Sequence, residues 1–389
     1  MDRLRICFFF HRFDGGGAER MTVLLANELV RLEHEVSILI RHNKGPVKCL
    51  LNPAIHILDM GLPENGKLRK NFGNICWLRQ VLRSGKFDVL LSVTAEMSQV
   101  AAFATYMLHP CIPLISVVHS TLSQEVHSFQ HIREKLFPLL NRRYDRVITV
   151  SEAVREDYIM LCNALPEQVV TVYNPVINKA FWNSVETELE HPWLEGRREY
   201  KVIVLAGRFC EAKNHTLMLK TMKLLRNQGD FRLILLGDGE LREQLEEQAR
   251  LDGIREVVDF VGFVPNPASY FRKADVVALS SRFEGLPSVL VEALAVGAKV
   301  VSTDCPSGPR EILEDGKFGI LVEPGNPEAF ANGILHALAW KPDREMLQQR
   351  ALDFTDKRAA EGYLQVVRET IARHKGRRKH AQKTHTSLG

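Results

Sequence analysis

Apolar segments of strand length alternate with helical stretches along this chain, and the alternation stops once and then restarts. In the first half, strands are expected over residues 5–10, 35–41, 55–58, 88–92, 112–118 and 146–150. Helices are expected over 18–32 and 68–83, and again between the later strands. Apolar strands separated by helices argue a parallel sheet covered on both faces. After Val172-Tyr173-Asn174-Pro175, the stretch 183–200 is polar, acidic and irregular. Strands resume at 202–206, 231–237, 257–261, 276–280, 300–303 and 319–322, with helices at 215–227, 240–251, 288–296 and 327–339. The fold class is therefore α/β, with two doubly wound domains assigned to residues 1–177 and 178–355. Helical periodicity returns over 344–373, with Leu347, Leu352, Tyr363, Leu364, Val367 and Ile371 as buried positions. Residues 356–373 are expected to return to the first domain, and 374–389 to form a basic disordered tail.

Two domains also suit the length, because 389 residues exceed one ordinary core. The 45% apolar and 25% charged composition is that of a globular protein, and no apolar run reaches the roughly 18 residues of a spanning helix. Asp2, Arg3 and Arg5 lead directly into a strand, which is not a secretion signal. The seven cysteines are scattered without a close pair, as expected in a reducing, cytoplasmic setting. Residues 1–179 carry net charge +4, residues 180–373 carry −5, and the tail carries +5. Such a tail suits an anionic leaflet or nucleic acid, or serves only solubility.

The most informative segment runs from Arg282 to Glu292. It sets Glu284 in a loop after an apolar strand and Glu292 inside the following helix, with seven residues between them. Ligands of open α/β sheets bind at the carboxyl ends of strands, and the helix start near Pro287 offers N–H groups to an anion. A diphosphate on that helix end, with hydroxyl-bearing sugars on either side, matches a nucleotide-sugar. Arg208 and Lys213 follow the strand 202–206 and suit the same diphosphate. A solvated loop is the other reading of that pair taken singly. Gly15-Gly16-Gly17 links the first strand to the first helix without the spacing of a dinucleotide fingerprint, and a plain turn explains it as well. Gly237-Asp238-Gly239-Glu240 could touch a base or cap a helix, with the cap favoured, and the loop 302–311 is rigid and could shape a pocket. His119 ends the strand 112–118 on the ligand edge of its sheet, where a functional role and a merely packed or solvated ring are both open.

With these residues in place, the chain resembles the family 4 retaining glycosyltransferases of the GT-B fold, over nearly its whole length. The resemblance rests on Gly-Gly-Ala-Glu-Arg at 16–20, His119, Val-Ser-Glu-Ala-Val at 150–154, Tyr-Asn-Pro at 173–175, Gly207-Arg208 with Lys213, Gly-Asp-Gly at 237–239, and Glu284 with Glu292. It implies two domains facing a cleft, an acceptor-binding first and a nucleotide-sugar-binding second. It further implies that Arg208 and Lys213 bind the donor diphosphate, that Glu292 holds the ribose, and that Glu284 contacts the transferred sugar. Amides of Gly285, Leu286, Pro287 and Ser288 assist (Pro287 by position alone, having no N–H), Gly16 and Gly17 line the donor–acceptor junction, and His119 lies near the sugar and its phosphate. The segment Ser307-Gly308-Pro309-Arg310 looks like members that build bacterial surface polysaccharides from UDP-sugars.

No Asp-x-Asp occurs, so the expected reaction uses no metal or other cofactor and leaves the departing phosphate to cations and helix-end amides. No carboxylate stands out as a nucleophile for double displacement, so front-face attack is expected, with the leaving phosphate helping to deprotonate the acceptor. Two basic–apolar stretches, Lys67 to Lys86 and Arg133 to Arg143, suggest peripheral attachment to the inner membrane face and a lipid-linked acceptor. Packing of their apolar faces on the sheet is the alternative. Transfer to a soluble sugar and nucleotide-sugar epimerisation are competing activities on this scaffold. A nucleic-acid module fits poorly, since the second domain is acidic and the tail lacks interleaved aromatics. A catalytically dead subunit fits poorly as well, because Arg208, Lys213, Glu284 and Glu292 are all present.

Overall fold

The apolar runs fold into two all-parallel sheets in the computed structural model, which describes residues 2–14, 16–61, 67–106, 112–125 and 137–386. The first sheet contains β1 (Arg5–Arg12), β2 (Glu35–His42), β3 (His56–Asp59), β4 (Val89–Val93), β5 (Leu114–Val118), β6 (Arg146–Thr149) and β7 (Val169–Thr171), in the order 3-2-1-4-5-6-7. The second contains β8 (Lys201–Ala206), β9 (Phe231–Leu236), β10 (Val258–Gly262), β11 (Val276–Leu279), β12 (Val300–Thr303) and β13 (Ile320–Val322), in the order 10-9-8-11-12-13. Strand order therefore reverses direction beside β1 and again beside β8. A reversal of this kind opens a crevice at the carboxyl ends of the two diverging strands.

The chain divides into two compact units, residues 1–175 with 356–389, and residues 176–355. In the first, Ile6, Phe8 and Phe10 of β1 share a core with Val23, Leu25 and Leu29 of the helix Gly17–Arg31. Tyr363, Leu364 and Val367 of the helix Asp356–Thr386 complete that core. Full burial of each such side chain contributes about 1.5–3 kcal/mol. Gly362 permits the close approach of that last helix, since a Cβ there would lie 2.8 Å from Val172 Cγ1. In the second unit, Ile203, Leu205, Leu233 and Leu235 pack against Met218, Met222, Leu245, Phe330 and Ile334 from three helices.

Local chemistry sets several boundaries. Ser151 Oγ accepts from Val154 N at 3.3 Å to open the helix Glu152–Cys162, and Asn163 closes it at φ 46°. Asn326 caps the helix Pro327–Ala339 in the same way, with Pro327 in the first turn. Strand β5 starts at Leu114 and not 112, because Pro113 has no N–H to give the ladder. The three-residue edge strand β7 was absent from the sequence expectation. The expected disordered tail from His374 is corrected: helical backbone continues to Thr386, and His374 Nδ1 sits 3.5 Å from Asp145 Oδ1.

Candidate functional site

In the second unit, four loops leave the carboxyl edge around β8 and bind one another. The loop after β9 lies directly on the loop after β8: Gly237 adopts φ 143°, and a Cβ there would collide with the Gly207 carbonyl oxygen. Gly207 N donates to Leu236 O and Phe209 N to Asp238 O, both at 2.9 Å. The expectation that Gly237–Glu240 caps a helix is corrected. The helix starts later, at Arg242, and Leu241 at its N-cap makes no side-chain cap bond. Glu240 instead accepts from Arg208 Nη2 at 3.1 Å. Its own backbone N–H, and then the Arg208 guanidinium, hold that carboxylate below its ordinary pKa.

Lys213 and Glu284 meet across the loops after β8 and β11. Lys213 Nζ donates to Glu284 Oε1 at 2.6 Å, and Ser281 Oγ donates to the same oxygen at 2.5 Å. Their side chains are 26% and 10% exposed, so the pair is shielded but reachable. Two further bonds fix it: the backbone N of Arg282 donates to Ala212 O at 2.8 Å, and the Ser280 hydroxyl Oγ donates to Lys213 O at 2.9 Å. Arg208, by contrast, is 73% exposed.

The loop after β12 clamps Glu284 from its other side. Glu284 N donates to Pro306 O at 3.3 Å, while Ser307 Oγ donates to the carbonyl oxygens of Glu284 and Gly285. Gly308 sits at φ 75°, and a Cβ there would come within 2.5 Å of Pro287 Cδ. Arg310 is engaged by Asp304 and, at 3.0 Å, by Asp315. Gly285, Leu286 and Pro287 are consequently buried, and the helix Ser288–Ala295 starts behind them with no side-chain cap at Pro287. The first-turn amides of that helix therefore have no side-chain cap, and amides of this kind attract anions. Glu292, only 3% exposed, follows about 6 Å down the helix from Ser288.

The sequence-predicted residues of the first unit lie on the carboxyl edge of the other sheet. Gly16 caps the helix Gly17–Arg31 without a side-chain bond, and a Cβ on it would sit 2.5 Å from Glu19 Oε2. Burial raises the Glu19 pKa, and Asp14 adds to the rise. His119 directly follows β5, and among the described residues neither of its ring nitrogens has a hydrogen-bond partner. The residue keeps a partly exposed edge, yet both nitrogens are shielded, and burial pushes its pKa down to about 4. It borders a cavity of about 10 Å³ with Thr22, Asn174 and Tyr363.

Sequence reasoning missed His215, the first residue of the helix His215–Leu225. It is 1% exposed, its ring stands 4.7 Å from that of Phe209, and neither nitrogen has a partner among the described residues. Burial, with Lys213 nearby, lowers its pKa to about 3. The signal was its register with Met218, Met222 and Leu225 on the buried face.

The two family models that match cover most of the chain. Residues 15–177 match glycosyltransferase family 4, and residues 188–354 match glycosyl transferases group 1. The chain belongs to the family 4 glycosyltransferases. This glycosyltransferase is similar to two proteins of Campylobacter jejuni. One is N-acetylgalactosamine-N,N'-diacetylbacillosaminyl-diphospho-undecaprenol 4-alpha-N-acetylgalactosaminyltransferase, 26% identical over 85% of this chain and 89% of the relative. The other is GalNAc-alpha-(1->4)-GalNAc-alpha-(1->3)-diNAcBac-PP-undecaprenol alpha-1,4-N-acetyl-D-galactosaminyltransferase, 27% identical over 94% and 99%. Among solved structures, Anabaena HepE in complex with UDP-glucose shares the fold at a TM-score of 0.74, with 22% identity over 95% of this chain and 100% of that one. The glycosyltransferase thus has the GT-B fold, two Rossmann-like domains with parallel sheets of seven and six strands.

The basic–apolar stretches divide. In the helix Lys67–Arg83, Arg79 is spent on the carbonyl oxygens of Ala104 and Phe103, at 2.9 and 3.3 Å, and Leu78 is buried. Arg83 and Lys86 remain exposed, as do Phe103 and Tyr106. In the second stretch Arg143 donates to Ile112 O, whereas Arg142 and Leu139 are exposed. The side chains of Lys67, Arg69, Lys70, Phe72, Arg133, Lys135 and Leu136 lie outside the described residues, as does Gly15. Among the described residues, no helix is long and apolar enough to cross a membrane.

Proposed function

We propose that this glycosyltransferase moves a hexose or N-acetylhexosamine, with retention of configuration, from a UDP-sugar to a growing lipid-linked glycan of a bacterial surface polysaccharide. The observation that carries the reading is the Lys213–Glu284 pair beside the uncapped helix Ser288–Ala295. Lys213, Arg208 and the first amides of that helix bind the diphosphate. Glu284 takes hydroxyls of the transferred sugar on one side, and Glu292 takes the ribose on the other. Gly285, Leu286, Pro287 and Ser288 shape the floor between them, while Gly16, Gly17 and His119 serve the acceptor and sugar side.

Developing negative charge on the departing phosphate is stabilised by Lys213 and helix-end dipoles that are already in place, so no metal ion is needed. Glu284 is held by Lys213 and Ser281 and is not poised as a nucleophile. Front-face attack follows, with the leaving phosphate accepting the acceptor hydroxyl proton as the glycosidic bond to phosphate breaks and the new one forms. Two diphospho-undecaprenol-linked substrates in the names of relatives support the lipid-linked acceptor. Exposed Arg83, Lys86, Phe103 and Tyr106 support contact with an anionic membrane surface.

The test is turnover of a panel of UDP- and GDP-sugars with a polyprenyl-diphosphate-linked glycan and with the same glycan free. Release of UDP that depends on the lipid-linked acceptor is the expected result. Preference for GDP-mannose would overturn the donor assignment, and use of the free glycan alone would overturn the acceptor assignment.

A further inference from the structure

Among the described residues, the first unit holds a buried guanidinium that no carboxylate matches. Arg41, near the carboxyl end of β2, is 4% exposed, and its Nε and Nη2 are buried without a hydrogen-bond partner. Its Nη1 sits 3.5 Å from His11 Nε2. The pairing of Phe10 with Ile40 and of Arg12 with His42 places His11 opposite Arg41 on the neighbouring strand, and the His11 and His42 rings stand 5.4 Å apart. Burial, and then Arg41, keep the His11 pKa low, with Glu96 opposing. Arg12 is matched by Asp14 at 3.8 Å, but no carboxylate reaches Arg41 among the described residues.

An unpaired buried charge is among the least favourable arrangements in a folded protein, so its retention points to a ligand. The unmatched atoms also have a shape. Nε and Nη2 form the side-on edge of a guanidinium, which matches two oxygens of one phosphoryl group. Arg5 shows the same edge in use, with Nε and Nη2 at 3.4 and 2.8 Å from the two carboxylate oxygens of Asp88. Arg41 stands on the same sheet edge as Gly16, where loops after parallel strands receive ligands.

We infer that Arg41, with His11 beside it, binds a phosphoryl group of the acceptor. The inference rests on the reading of the acceptor as diphosphate-linked, and it fixes where that diphosphate is gripped.

The experiment compares wild type with Arg41→Met while UDP saturates the donor site. Inorganic pyrophosphate is titrated by calorimetry, and kinetics are measured with one glycan carried on a polyprenyl diphosphate or on an uncharged alkyl chain. Wild type should bind pyrophosphate at least about tenfold more tightly than the variant, in keeping with a charge-assisted pair. KM for the diphosphate-linked acceptor should rise at least about tenfold, with the uncharged acceptor within about twofold. Without ligand, the Tm of Arg41→Met should equal or exceed that of wild type, because a buried unpaired charge has been removed. Arg41→Lys, which keeps the charge but loses the two-nitrogen edge, should also bind pyrophosphate more weakly than wild type. Equal pyrophosphate binding by all three proteins, with diphosphate-linked turnover intact, would overturn this site alone. Pyrophosphate binding that needs Arg41, with turnover only of the uncharged acceptor, would overturn the acceptor assignment here and the lipid-linked reading above. A lower Tm with equal losses on both acceptors would show Arg41 to be structural.

Discussion

Lys213 Nζ lies 2.6 Å from Glu284 Oε1, so a cation and a carboxylate from successive loops of one sheet edge already share a hydrogen bond. The pair sets the position of both groups. Lys213→Ala should lower kcat/KM by about 10²–10³-fold, the loss expected when one preorganised charge-stabilising donor is removed. Glu284→Gln keeps the shape but weakens the hold on Lys213, and should give a similar or slightly smaller loss. Steady-state UDP release measures both, and turnover within threefold of wild type in either variant would sink the assignment.

Arg208 behaves differently because it is exposed and its partner Glu240 is at the surface. A surface pair of this kind adds little to stability. Arg208→Ala should raise KM for the donor about tenfold, close to the worth of one charge-assisted bond, with Tm unchanged. Donor-concentration series and thermal melts separate the two effects.

Gly308 tests the clamp around Glu284. At φ 75°, with Pro287 Cδ and Gly285 O pressing on its Cβ position, Gly308→Ala combines backbone strain with overlap. A cost of about 1–3 kcal/mol is expected for such a position. Activity should fall with stability, and an unchanged Tm would mean that the loop relaxes freely.

His119 and His215 make stability depend on pH. His215 is buried and the ring nitrogens of His119 are shielded, so their pKa values are pushed down, to about 3 and about 4, below the roughly 6.5 of an unfolded histidine. Between those values the unfolded chain binds more protons, so stability is full above about pH 6.5 and declines as pH falls toward 4. His215→Leu, which removes the titrating ring from a nearly dry site, should flatten the slope of Tm between pH 6.5 and 4.5. An identical slope in the variant would show that other groups set it.

Much of the fold was legible because each strand is a short apolar run with a helix behind it, as in β8 followed by the helix His215–Leu225. The same edge logic located Glu284, Lys213 and Arg208, each a charged residue just past a strand. Two kinds of feature were not legible. Glu240 looked like a cap because spacing alone cannot show that Gly237 and Gly239 lay their backbone on the loop Gly207–Phe209. Arg41 sits inside a strand pattern as one charge among Val, Ile and Leu, and only three dimensions reveal that its neighbours leave it unmatched.

The helix Asp356–Thr386 finishes a core that begins with β1, although nearly the whole chain separates them. Residues 176–355 are contiguous and complete their own packing as soon as they have been synthesised. The amino-terminal unit has to wait for the ribosome to reach the final helix, with apolar surface over Phe8 and Val23 uncovered in the meantime. Folding order therefore runs against the order of synthesis, and a chain cut before Asp356 would emerge with its later unit sound and its earlier one open to aggregation.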